Sequence, residues 1–167
     1  MELVDVTVFY LEMLERPAGA VDAPSDGLMV VPVERPSVPY YRFLYNAVGQ
    51  DYHWLSRRKM SDEQLATVLD APTTELHVLH VEGSPAGFAE LDCQPNGIEL
   101  VQFGLLPEYI GRKLGPWFLS RIIEHVWNSP TRRFWLHTCS LDHPAAVRTY
   151  QQAGFRQYRV EQIQREL

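Results

Sequence analysis

The chain has 167 residues and a mass of 19.3 kDa, which suits one domain with a core that needs no covalent staples. Hydrophobic residues at 46% and charged residues at 22% exclude a disordered or low-complexity chain. Fifteen Lys and Arg against 21 Asp and Glu leave a net charge of −6, which excludes a fold-wide basic field for nucleic acid or an anionic membrane but permits a local basic patch.

Two cysteines, Cys93 and Cys139, suit a reduced, cytoplasmic setting. Met1 to Asp5 shows no basic segment leading into an apolar one, and no window approaches the ~18 consecutive apolar residues of a membrane span. The expectation is a cytoplasmic protein without a signal or a membrane helix.

In chain order, Val4 to Leu11 reads as a strand rich in Val, Thr, Phe and Tyr, followed by a Pro- and Gly-bearing loop and a second strand from Leu28 to Val33. Ser37 caps a predicted helix over Val38 to Val48, stopped by Gly49. Ser61 and Gln64 form a capping-box pattern for a second helix that ends before Pro72. Leu76 to Glu82, Gly87 to Cys93 and Glu99 to Leu105 are three strand-like runs, and their short turns favour antiparallel hairpins. From Ile110 to Trp127 the apolar spacing becomes helical. A strand over Phe134 to Cys139, a helix over Pro144 to Ala153 and a strand over Phe155 to Val160 complete the pattern. This order predicts an α+β fold, a mixed and mostly antiparallel central sheet flanked by helices, in one domain over 1–167. Within it, 1–35 holds N-terminal strands and a loop, 36–75 the early helices, and 76–160 the core.

The stretch with chemical content runs from Glu99 to Trp117, where a strand passes through a glycine-punctuated turn into a helix. Unpaired backbone N–H groups and the helix dipole favour an anion at such a start, and glycines let a phosphate approach. Arg112 and Lys113 add positive charge there, whereas Pro116 removes one N–H. Lys113 calls for a backbone without positive φ. A second segment, Leu141 to Phe155, is a short helix ended by Gly154-Phe155.

Together these segments resemble the GNAT superfamily of acyl-CoA N-acyltransferases. The family's (Arg/Gln)-x-x-Gly-x-(Gly/Ala) turn is matched at Gly111, with Gly115 further on. Its Asn-x-x-Ala-x-x-x-Tyr-x-x-x-Gly-Phe segment is matched at His143, Ala146, Tyr150, Gly154 and Phe155. Glu108 stands where Arg or Gln is usual, Lys113 where a small residue is usual, and His143 where Asn is usual. The resemblance implies a GNAT-like fold from about Pro36 to Val160 and acetyl-CoA as acyl donor. It places the pantetheine arm along the strand near Phe103 and Leu105, and the pyrophosphate at Ile110, Gly111, Arg112, Lys113, Leu114 and Gly115. His143 and Ala146 then flank the thioester.

By the same resemblance the reaction is direct transfer of an acetyl group to a primary amine in a ternary complex. Tyr150 matches the family's general acid, protonating the departing thiolate. Glu99 matches a general-base position, and period-two alternation places it on one strand face with Val101, Phe103 and Leu105. Glu90 and Asp92 on the preceding strand are the alternate bases. The acceptor side draws on the early helices, with Tyr41, Tyr45 and Trp54 as candidate contacts, alongside Tyr40, Tyr52 and the basic run Arg57, Arg58 and Lys59. A catalytically weak acyl-CoA-binding module and a protein N-terminal or lysine acetyltransferase stand as alternatives. A homodimer is left open.

No metal is expected. His77 and His80 are three apart on a strand and fall on opposite faces, and no HExxH or CxxC pattern occurs. Cys139 with Asp142 and His143 suggests a cysteine nucleophile only weakly, because a strand-end cysteine is usually structural.

Overall fold

A computed structural model describes residues 1–167. Seven strands form one sheet: β1 (Leu3–Met13), β2 (Leu28–Pro32), β3 (Thr74–Val81), β4 (Ser84–Gln94), β5 (Gly97–Leu105), β6 (Phe134–Cys139) and β7 (Arg156–Glu166). Their spatial order is β2-β3-β4-β5-β6-β1-β7. Every adjacent pair is antiparallel except β5 and β6. Four helices cover the faces: α1 (Val38–Gly49), α2 (Asp62–Asp70), α3 (Leu114–Trp127) and α4 (Ala146–Ala153). No helix is long and apolar enough to cross a membrane.

Both early helices begin where their caps predict. The Ser37 side chain accepts from the Tyr40 N–H, and Ser61 with Gln64 makes both bonds of a capping box. Tyr41, Leu44, Tyr45 and Val48 recur at helical spacing and pack with Leu65 and Leu69 of α2 against one sheet face, over Val78 and Phe88. Gly104 on β5 permits this approach, because a Cβ there would lie 2.4 Å from Val48 Cγ1. The opposite face carries the larger core, where Leu114, Phe118, Leu119, Ile122 and Val126 of α3 meet Leu91, Leu100, Phe134 and Leu136.

Beyond shifts of a few residues at element ends, four departures from the sequence reading bear on the sheet and the site. β7 continues to Glu166 instead of stopping at Val160, because β1 pairs with it over its whole length while lying inside the sheet between β6 and β7. The charges of β7 obscured this extension, yet they suit an edge strand that must not recruit another. Helix α3 starts at Leu114 instead of Ile110, after a 3-10 turn over Pro107–Tyr109. Lys113 does adopt positive φ, at 60°, contrary to the requirement inferred for it. It is the N-cap of α3, a position whose backbone need not be helical. The fourth departure is a bulge in β5: Glu90 pairs with Gln102 and Leu91 with Leu100, so Val101 is an extra residue. The alternation therefore slips by one, and Glu99 lies on the face opposite Phe103 and Leu105.

Candidate active site

Where β5 and β6 run parallel, they pair only at Ile98 with Phe134 and at Glu99 with Trp135. Beyond that point the strands part, and a cavity of about 680 Å³ opens between them. Leu100 to Leu105 line it as one continuous strand edge, facing Thr138, Cys139, Asp142 and Tyr150. A strand edge whose backbone N–H and C=O groups lack a neighbouring strand is suited to an extended amide-bearing chain.

At its far end the edge runs into the start of α3. The Lys113 cap makes no side-chain hydrogen bond to the first-turn N–H groups, so these donors are left for a ligand. Gly111, with φ of 87°, has nothing within 4 Å of where a Cβ would stand. Backbone donors and the helix dipole thus meet at one open corner, which Lys113 also lines. The residues expected to hold the cofactor all line the cavity except Arg112. Its guanidinium stacks over the Tyr109 ring, 5.1 Å from the centroid.

Tyr150 projects from α4 to the cavity wall, its ring edge-on to Phe103 at 6.2 Å and to Phe155 at 5.9 Å. Burial, with the Asp142 charge adding, raises the phenol above its ordinary range, so it is protonated at neutral pH. Gly154 ends α4 in the left-handed conformation, and its turn lets Phe155 fold back under Tyr150. His143 also lines the cavity. Its Nδ1 accepts from the Ala145 N–H at 3.0 Å.

The expected base sits differently. Glu99 is mostly buried and does not line the cavity. Its pKa is raised by burial first, then by Asp92 and Glu90, with Arg57 opposing. Its carboxylate lies 3.6 Å from His137 Nε2, and His137 does line the cavity. Partial burial lowers the His137 pKa from 6.5, against the charge of Asp142 and with that of Arg165. A largely neutral imidazole therefore stands between the cavity and a buried carboxylate. Glu90 is engaged elsewhere. At 2% exposure it accepts from the Tyr41 hydroxyl and from Arg57 Nη2, the latter at 2.6 Å. Asp92 accepts from Gln94 at 3.0 Å and pairs across the strand with Glu99.

Among the acceptor-side candidates, Tyr45 and Trp54 line the cavity, joined there by Tyr52 and Lys59. Tyr41 does not. It is fully buried one helical turn before Tyr45, with its hydroxyl committed to Glu90. The Cys139 thiol also reaches the cavity, but burial and the Asp142 charge push its pKa up, which disfavours the thiolate a nucleophile needs.

His137 and Arg165 escaped the sequence reading, and Asp142 entered it only beside Cys139. Only His137 left a usable signal: it is two residues beyond Trp135, so alternation places it on the same face of β6. Arg165 belongs to the part of β7 that was not anticipated.

A protein-family model described as the Acetyltransferase (GNAT) family matches residues 41–155. The chain belongs to the GNAT acetyltransferase family. No curated protein sequence matches it. Its fold is similar to a GCN5-related N-acetyltransferase of Sphaerobacter thermophilus, at TM-score 0.70 and 15% identity over 96% of this chain and 51% of that one. It is also similar to the ribosomal-protein-S18-alanine N-acetyltransferase of Escherichia coli, at TM-score 0.62 and 19% identity over 77% of each chain. A third similar fold is the aminoglycoside acetyltransferase meta-AAC0020 from an uncultured soil metagenomic sample, in complex with sisomicin, at TM-score 0.65 and 9% identity over 77% of this chain and 88% of that one. The chain spans only part of the first three similar structures, 51%, 60% and 63% of their lengths. This GNAT chain thus carries the family's fold, with the cavity where β5 and β6 separate.

Proposed function

We propose that this GNAT protein transfers an acetyl group from acetyl-CoA to a primary amine, by direct transfer in a ternary complex. The observation that carries the reading is the continuity of the unpaired Leu100–Leu105 edge with the uncapped start of α3. One groove thereby offers strand-type pairing for the pantetheine amides and, at its end, an anion corner at Gly111 to Gly115. The thioester lies between Phe103, Leu105, His143 and Ala146. A backbone N–H of the β5 edge polarises its carbonyl and stabilises the tetrahedral oxyanion.

The amine arrives from the side of Tyr45 and Trp54. His137 takes its proton, with the Glu99 carboxyl 3.6 Å behind the imidazole to offset the charge it gains; the base role expected of Glu99 thus passes to His137 with Glu99 behind it. Tyr150 donates a hydrogen bond to the departing sulfur. Because its pKa lies above that of a thiol, this stabilises the thiolate as the C–S bond breaks instead of leaving a phenolate behind.

Calorimetry with acetyl-CoA, followed by free-thiol release over an amine panel, tests the reading. Saturable binding with amine-dependent thiol release supports it. Binding without release over a broad panel identifies an acyl-CoA-binding module, and no binding overturns both.

A further inference from the structure

On the sheet face beneath α3, away from the cavity, three ligand-type side chains from two elements converge. Glu75 and His77 stand two apart on β3 and so share a face, and His125 reaches them from the last turn of α3. Both imidazole Nε2 atoms point at the same carboxylate oxygen: His77 lies 3.0 Å and His125 2.7 Å from Glu75 Oε1. The three ligand atoms all lie within 4.8 Å of one another. The sequence hid this, because His77 and His80 are indeed on opposite faces, and the second histidine comes from a distant helix.

We propose that Glu75, His77 and His125 bind a single divalent transition-metal ion of the zinc class. Bonds of about 2.0–2.1 Å to two imidazole nitrogens and one carboxylate oxygen put tetrahedral ligands roughly 3.3 Å apart. The contacts to Glu75 Oε1, at 3.0 and 2.7 Å, need to open by about 0.3 and about 0.6 Å to reach that spacing. Two imidazoles with one carboxylate favour zinc-class ions over magnesium or calcium, which prefer oxygen ligands throughout.

The surroundings agree with this ligand set. The Cys93 thiol holds the other oxygen of Glu75 at 3.2 Å, an outer contact of the kind that fixes a ligating carboxylate. His77 is buried and rigidly placed, whereas the His125 and Glu75 side chains are 48% and 40% exposed. The site therefore has an entry path from solvent on the side of His125 and Glu75. None of the three residues lines the acetyl-CoA cavity. Three turns of α3, about 16 Å of helix, separate His125 from Leu114. The ion thus fastens the C-terminal end of α3 to β3, and the proposal is independent of the acetyl-transfer reading.

Tag-free protein, stripped with a chelator and dialysed, is titrated with Zn2+ against a chromophoric competitor, and with Co2+ while the visible spectrum is followed. One equivalent of Zn2+ is expected, with a rise in Tm and intense visible bands from low-coordinate Co2+. His125→Ala is the decisive variant, because a half-exposed side chain on a helix surface is replaced without loss of fold, which circular dichroism checks. Its Zn2+ affinity should fall tenfold or more, and Cys93→Ser should give a smaller loss. Failure of the native chain to bind one equivalent overturns the proposal, as does an affinity loss under tenfold in folded His125→Ala.

Discussion

The Trp54 indole N–H donates to Asp142 Oδ1 at 3.2 Å, joining the segment after α1 to the corner between β6 and α4 across the mouth of the cavity. The other oxygen of Asp142 accepts from the Thr138 hydroxyl at 2.5 Å and from the Cys139 N–H at 2.9 Å. One carboxylate thus shapes the corner and grips the acceptor side. Asp142→Asn places an amide donor among three donors and should cost about 1–3 kcal/mol of stability, with weaker acetyl-CoA binding. Trp54→Phe removes only the indole bond and should cost about 1 kcal/mol or less beyond the change in packing, while the corner survives. Urea unfolding and calorimetry of both variants check this ordering.

Tyr150→Phe keeps the ring against Phe103 and Phe155 and deletes only the hydroxyl. Stability and acetyl-CoA affinity should therefore hold. In steady-state thiol-release assays kcat should fall by about 10²–10³, the usual range for loss of one hydrogen-bond donor to developing negative charge. An unchanged kcat removes Tyr150 from the chemistry.

The pH profile follows from His137. Partial burial lowers its pKa from 6.5, so the neutral, proton-accepting form is gained as pH rises through a value below 6.5. The log of kcat/KM should climb with pH on that limb and then level off with respect to this group. His137→Gln should flatten the limb. Glu99→Gln should lower the plateau but keep the limb, since Glu99 acts behind the imidazole. Stability has the same sign for His137: below about pH 6.5 the unfolded chain binds the proton more readily, so the histidine's contribution weakens stability as pH falls. A limb that survives His137→Gln and vanishes in Glu99→Gln makes Glu99 the base on its own.

Lys113 joins a charge to an unusual backbone, and the two separate by substitution. At φ of 60° Asn is tolerated, whereas a β-branched residue is strained by about 1–3 kcal/mol. Lys113→Asn should leave Tm nearly unchanged and raise the KM for acetyl-CoA several-fold. Lys113→Val should lower Tm as well. Parallel thermal melts and initial-rate kinetics distinguish the charge from the conformation.

The two caps at Ser37 and Ser61 and the β3–β5 hairpins were legible because each depends on neighbours in sequence; Tyr150 before Gly154-Phe155 was singled out by the family resemblance. The position of β1 inside the sheet was not, since strand pairing between Leu3 and Glu166 leaves no local trace. The face of Glu99 was misread for a related reason. Alternation is a reliable guide until one extra residue enters, and nothing in Leu100-Val101-Gln102 announces the bulge; the partner strand makes it. His137 gained its place beside Glu99 from the same long-range assembly, as did the meeting of His77 with His125; Asp142 owes it only the bond from Trp54, its bonds to Thr138 and Cys139 being local.

Buried beneath the acceptor side, Glu90 depends on Arg57 Nη2 at 2.6 Å and on the Tyr41 hydroxyl. Removing the cation leaves a carboxylate without its counter-charge in the core, which is more damaging than removing both members. Arg57→Met should therefore destabilise the fold by about 3–5 kcal/mol, and the double variant Arg57→Met with Glu90→Gln should recover a large part of that loss. Because Arg57 also opposes the rise in the Glu99 pKa, Arg57→Met should push that carboxyl further up and extend the pH range over which it stays protonated. Urea denaturation of the two single variants and the double at fixed pH measures the coupling. If the Glu90→Gln change adds to the loss from Arg57→Met instead of offsetting it, the pair does not act as a neutralising unit.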